Sequence, residues 1–121
     1  MEIYGIGIDI LETNSFSGNT NINHLISKIL TTKEQMYIQQ SNLAKHNFLV
    51  ISFAFKEAAS KAIGTGIFNK KINLQSIELT WENDFVKDIQ ILGNHNEYKF
   101  KLSMTHSSTF ILASVIAYRT F

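Results

Sequence analysis

The chain has 121 residues, 45% hydrophobic and 17% charged, with a formal net charge of +1, a length and balance that fit one globular domain over residues 1–121 with its own buried core. A charge so close to zero gives no long-range field for nucleic acid or an acidic membrane, which argues against both as partners. The absence of cysteine excludes a disulfide frame and a thiolate metal site, and with neither a signal-like start nor an apolar run near the roughly 20 residues of a membrane span, the expected location is the cytoplasm.

Glu2 to Leu11 reads as a strand, with Tyr4, Ile6, Ile8 and Ile10 on one face and Ile3, Gly5, Gly7, Asp9 and Leu11 on the other. Glycine weakens a strand and is kept where a backbone or a ligand must come close, so Gly5 and Gly7 clear space beside one carboxylate. Asp9 is then either a buried cap for a neighbouring loop or a metal ligand at the bottom of a groove. Residues 13–23, rich in Asn, Ser, Thr and Gly, read as a loop. The spacing of Ile22, Leu25, Ile26, Ile29 and Leu30 predicts a helix, and Thr31-Thr32-Lys33-Glu34 has the form of a capping box that opens a second one, to about Gln40.

After a polar break at 41–47, good helix formers run from near Phe48 to Gly64, where Gly64-Thr65-Gly66 can supply the positive φ of a helix C-terminus. At about 100° per residue, Ser52, Lys56, Glu57, Ser60 and Lys61 fall within one half of the circumference, which predicts a single polar stripe with Glu57 and Lys61 one turn apart. That pair is either a solvated i, i+4 contact contributing roughly 0.2–0.5 kcal/mol, or a carboxylate and an ammonium able to seat a divalent metal and steady a phosphate.

The second half alternates as strands do. Ile77, Leu79 and Trp81 share a face, Asn83-Asp84 marks a turn before Phe85 to Leu92, and Gly93 to Asn96 makes another. Phe100, Leu102, Met104 and His106 share the next face, Ser107-Ser108 turns the chain, and Phe110 to Tyr118 is the last strand. The expected class is α+β, an antiparallel sheet packed on one long central helix plus shorter helices. Trp81 is read as core, and His24, His46 and His95 as surface residues.

Three stretches stand out together: Gly5-Ile6-Gly7-Ile8-Asp9-Ile10, Phe53-Ala54-Phe55-Lys56-Glu57-Ala58-Ala59-Ser60-Lys61-Ala62-Ile63-Gly64-Thr65-Gly66, and Leu102-Ser103-Met104-Thr105-His106-Ser107. In this order and spacing they resemble the holo-[acyl-carrier-protein] synthase family, the small bacterial 4′-phosphopantetheinyl transferases. The resemblance implies a transferase of fatty acid biosynthesis that moves the phosphopantetheine arm of coenzyme A onto a serine of apo acyl carrier protein and releases adenosine 3′,5′-bisphosphate. It implies a magnesium requirement, with Asp9 and Glu57 as the carboxylate ligands and Lys61 as a second positive centre at the diphosphate. It further implies contact of His106 with the nucleotide phosphates, hydrogen bonds from Ser103 and Ser107 nearby, and close approach of the Gly64, Thr65 and Gly66 backbone to the adenosine part. His106 also has a plainer reading, as a strand histidine satisfied by a backbone carbonyl. The serine proton goes to a water held at the metal or by Asp9, or else to Glu57. A homotrimer with sites at the subunit contacts is the implied assembly.

The chain departs from the family pattern at Ser52 and in Asn14-Ser15-Phe16, where arginines are usual, and at Asp84 to Asp88, which replaces a Gly-Lys-Pro turn. The arginines serve phosphate binding and docking on the carrier's acidic helix, so Lys45, Lys56 and Lys70 are the candidates to replace them. A degenerate relative that binds coenzyme A or a carrier without turnover is the competing expectation, and an unrelated α+β interaction domain the third.

Overall fold

Strand β1 (Glu2–Glu12) packs its glycine face on the long helix, and that contact sets the rest of the architecture. The computed structural model describes residues 1–18, 21–64, 73–93 and 98–120. After β1 come α1 (Ile22–Ile29), α2 (Thr32–Ile38), α3 (Lys45–Gly64), a 3₁₀ turn (Leu74–Ser76), and strands β2 (Ile77–Glu82), β3 (Phe85–Ile91), β4 (Lys99–His106) and β5 (Phe110–Arg119). The α+β class is as expected. The strands, however, divide into two antiparallel sheets, one ordered β1-β5-β4 and the other a β2-β3 hairpin, where the sequence suggested a single antiparallel sheet.

Local chemistry accounts for the boundaries. Thr31 Oγ1 accepts from the Glu34 amide and Glu34 Oε1 from the Thr31 amide, the reciprocal capping box that starts α2. Helix α3 begins at Lys45, three residues before the expected Phe48, and its last residue, Gly64, is not among the positive-φ glycines. Asn83 and Asp84 both take positive φ, 52° and 61°, which makes the two-residue hairpin turn whose twist suits β2 and β3. Asp84 pins that turn to the α2–α3 connection, its carboxylate accepting from Ser41 Oγ at 2.7 Å and from the Asn42 amide at 3.2 Å.

Gly5 and Gly7 make room for backbone. A Cβ at Gly5 would collide with the Ala62 carbonyl, and one at Gly7 with the carbonyl of Ala58, so the helix lies directly on the strand. The β1 alternation is also shifted by a register irregularity between Ile3 and Gly5. Tyr4 therefore packs inward, edge-on to Tyr98 at 4.9 Å, and Ile3 joins Ile6, Ile8 and Ile10 on the outer face. The core lies between α3 and the inner sheet face, where Ile111, Ala113, Val115 and Ala117 of β5 are buried, and continues under Phe48, Leu79 and Trp81.

Candidate functional site

Because β1 runs antiparallel to α3, with Gly7 against Ala58 and Gly5 against Ala62, Asp9 comes to the flank of the helix that carries Glu57 and Lys61. The Lys61 ammonium donates to Asp9 Oδ1 at 3.2 Å and to the Ile8 carbonyl at 3.0 Å. Glu57 is half-buried, and its pKa is raised, first by burial and then by the nearby Asp9 charge, with Lys61 acting in the opposite direction. The expected Glu57–Lys61 contact along the helix is thus replaced by a bond from Lys61 across to the strand.

Asp9 Oδ2 is buried and has no hydrogen-bond partner among the described residues. An orphaned carboxylate oxygen beside a second carboxylate with a raised pKa is an arrangement that a divalent cation would satisfy. Among the described residues no group of three or more His, Cys, Asp or Glu side chains gathers, so two acids are what these residues offer. That donor set suits magnesium, which takes one or two carboxylates and completes its shell with water and substrate phosphate.

The remaining predicted site residues lie elsewhere. His106 is exposed at the end of β4, paired with Ile111 of β5, which in turn faces Leu11 of β1. Two strand spacings and two residues separate it from Asp9, roughly 12 Å. It borders a groove of about 690 Å³ lined by Ile51, Phe55, Trp81, Val86 and Met104. On the α3 circumference Phe55 and Glu57 are about 160° apart, so the groove and the acid pair sit on opposite flanks of the helix. Ser103 points to the other face of β4, its hydroxyl 2.9 Å from that of Ser114. Ser107 Oγ accepts from the amides of Thr109 and Phe110 and so shapes the β4–β5 turn. Among the described residues, none comes within 4 Å of a Cβ built at Gly64. Thr65, Gly66, Lys70 and His95 lie outside the described residues.

The single polar stripe predicted for α3 does not form. Glu57 and Lys61 lie near Asp9 of β1, whereas Ser52 and Lys56 are fully buried and Ser60 lies about 160° round the helix from Ala58 and Ala62, where β1 packs. Lys56 Nζ donates to Glu34 Oε1 at 2.6 Å, to the Ile29 carbonyl at 2.7 Å and to the Leu74 carbonyl at 3.0 Å. Burial draws this ammonium below the ordinary lysine range, and Glu34 restores part of the loss. Lys56 therefore does not supply a phosphate contact in place of the absent arginines. Lys45 is exposed at the start of α3, and Ser52 Oγ is buried without a partner. Trp81 stacks on Phe48 with centroids 4.1 Å apart, as a core residue.

The raised Glu57 pKa fixes a sign. A carboxyl whose folded-state pKa lies above its unfolded value of about 4.5 favours the folded protein while protonated, and that contribution is lost as pH rises through the folded pKa. In chelator, Glu57→Gln is expected to remove this loss and raise Tm at pH 8 by about 1–4 °C, with no gain at pH 4. Thermal melts of both proteins at the two pH values check it.

Comparison with known proteins places the chain in a family. Residues 5–115 match the 4′-phosphopantetheinyl transferase superfamily. The chain is 36% identical over 116 residues to a holo-[acyl-carrier-protein] synthase of Limosilactobacillus reuteri, covering 94% of this chain and 96% of the relative. It is also 36% identical over 116 residues to the Oceanobacillus iheyensis protein of the same name, with 94% and 95% covered. Among solved structures, a holo-(acyl-carrier-protein) synthase from Bacillus anthracis in complex with CoA (3′,5′-ADP) superposes with a TM-score of 0.77 at 30% identity, over 99% of this chain and 100% of that one.

Proposed function

The chain belongs to the holo-[acyl-carrier-protein] synthases of the 4′-phosphopantetheinyl transferase superfamily, and on that premise we propose that its 121 residues form one domain that modifies apo acyl carrier protein with magnesium at Asp9 and Glu57. The serine oxygen of the carrier attacks the phosphorus that bears pantetheine while its proton passes to a water held by Asp9, with Glu57 as the competing base. The bond to the bridging oxygen breaks, and adenosine 3′,5′-bisphosphate leaves with that electron pair. Magnesium, when bound, supplies charge neutralisation at the diphosphate. Asp9 and Glu57 hold that ion from two different elements, and Lys61 offers its ammonium to the phosphate oxygens as the leaving charge grows. His106 binds the nucleotide phosphates from the groove side, and the end of α3 at Gly64 leaves room for the adenosine part. The observation that carries this reading is the meeting of Asp9, Glu57 and Lys61 at the β1–α3 contact.

Incubation with an apo carrier protein, coenzyme A and magnesium is expected to add one phosphopantetheine by intact-protein mass spectrometry, and excess chelator is expected to stop it. No mass gain with several apo carriers overturns the proposal.

The proposed assembly is a homotrimer in the cytoplasm, serving fatty acid biosynthesis. No helix among the described residues is long and apolar enough to cross a membrane. Two features support the assembly. Ile3, Ile6, Ile8, Ile10 and Phe110 are between 46% and 60% exposed on the outer face of the larger sheet, an apolar surface that a second copy would cover. The acid pair and the His106 groove of one chain lie on opposite flanks of α3, so a site using both draws them from neighbouring subunits. Light scattering is expected to give a trimer mass for the wild type and a monomer for Ile8→Lys, with transfer lost in the monomer. A monomeric wild type overturns the assembly.

A further inference from the structure

Lys61 stands on the carboxylate that the divalent cation would use, bonded to the oxygen next to the unpartnered one. Its ammonium is bonded to Asp9 Oδ1 and also to the Ile8 carbonyl, so two protein oxygens hold it in place. The Asp9 side chain is 14% exposed, whereas that of Lys61 is 53% exposed, so the ammonium can swing into solvent while the carboxylate stays fixed. Asp9 thus has one oxygen taken by a monovalent cation and the other buried without a partner among the described residues, with Glu57 beside it. A divalent cation at Oδ2 and an ammonium at Oδ1 of the same carboxylate would repel one another, so each weakens the hold of the other.

We propose that Lys61 is a displaceable stand-in for the metal: it occupies Asp9 in the coenzyme-free protein and gives Asp9 up when a diphosphate arrives to take the ammonium. The proposal rests on the reading of Asp9 and Glu57 as the metal ligands. It makes metal and coenzyme binding interdependent through one side chain. The free protein binds the cation weakly, the diphosphate withdraws the lysine, and the exposed carboxylate then accepts the ion. By linkage the cation strengthens coenzyme binding by the same factor. Lys61 has two partners in turn, Asp9 before binding and a phosphate oxygen after it, and Asp9 is never left as an unpaired buried anion.

The test is titration of the coenzyme-free protein with Mn²⁺ alone, followed by the electron paramagnetic resonance of free Mn²⁺, for wild type and Lys61→Met. The variant is expected to bind Mn²⁺ about tenfold more tightly. The ratio is expected to persist in high salt, since a direct contact is screened far less than a field acting at a distance. With saturating coenzyme A the wild type is expected to gain more Mn²⁺ affinity than the variant does. Equal Mn²⁺ affinities of the two coenzyme-free proteins overturn the inference while leaving the metal reading intact, and so does a ratio that vanishes in high salt. Absence of Mn²⁺ binding in both proteins, with and without coenzyme A, overturns the metal reading and the inference with it.

Discussion

Asp9→Asn is expected to lower the rate of carrier modification by about three orders of magnitude while leaving the fold intact. The two effects separate because of where the side chain spends its bonds. Among the described residues, Asp9 makes a 3.2 Å contact to a half-exposed lysine, and its second oxygen has no partner. Losing a screened contact of that kind costs little stability. The carboxamide removes an anionic ligand from the proposed two-acid site, and it places an NH₂ group where a cation would need lone pairs. Mass spectrometry of the carrier after timed incubation reads the rate, and a thermal melt reads the fold. A variant that modifies the carrier at near wild-type speed would remove Asp9 from the metal site. A variant that melts far below the wild type would make it a structural cap instead.

Several features of this site are written in local chemistry, and those were legible. Thr31 and Glu34 announce the start of α2 because a capping box needs only residues three apart. Asn83-Asp84 announces its turn because few residues other than glycine tolerate positive φ. The placement of Asp9 beside Glu57 and Lys61 followed from the family resemblance, since neither periodicity can align one residue of a strand with another on a helix. What stayed hidden depends on tertiary partners. Helical periodicity places Lys56 and Glu57 on adjacent bearings, yet Glu34 and two carbonyls pull Lys56 into the core while Glu57 faces the strand. The shift at Gly5 turned Tyr4 inward, because alternation counts residues and is blind to an extra one. Strand order also escaped. The placement of β5 between β1 and β4 puts Asp9 and His106 on separate edges, which a linear reading of three motifs does not reveal.

Lys56→Met is expected to destabilise the protein by about 3–5 kcal/mol, enough to unfold much of the population at 37 °C if total stability is the ordinary 5–15 kcal/mol. Methionine matches the stem of lysine in volume, so the loss is not one of packing. It comes from what the ammonium leaves behind. Glu34 Oε1 keeps the Thr31 amide and Oε2 keeps the Leu79 amide at 2.6 Å, but the buried carboxylate loses its only counter-charge. The Ile29 and Leu74 carbonyls lose a donor at the same time, and each lies in a segment that α3 would otherwise hold. Glu34→Gln is expected to cost less, because the amide still accepts through one oxygen and stays neutral, although Lys56 is then a buried cation without an anion. The double variant Glu34→Gln/Lys56→Met removes both charges and is expected to recover about 1–3 kcal/mol relative to the sum of the single losses. Urea denaturation of the four proteins measures that coupling. Additive losses would mean that the two side chains stabilise the protein independently, and that the link from α1, α2 and β2 to α3 does not run through this pair.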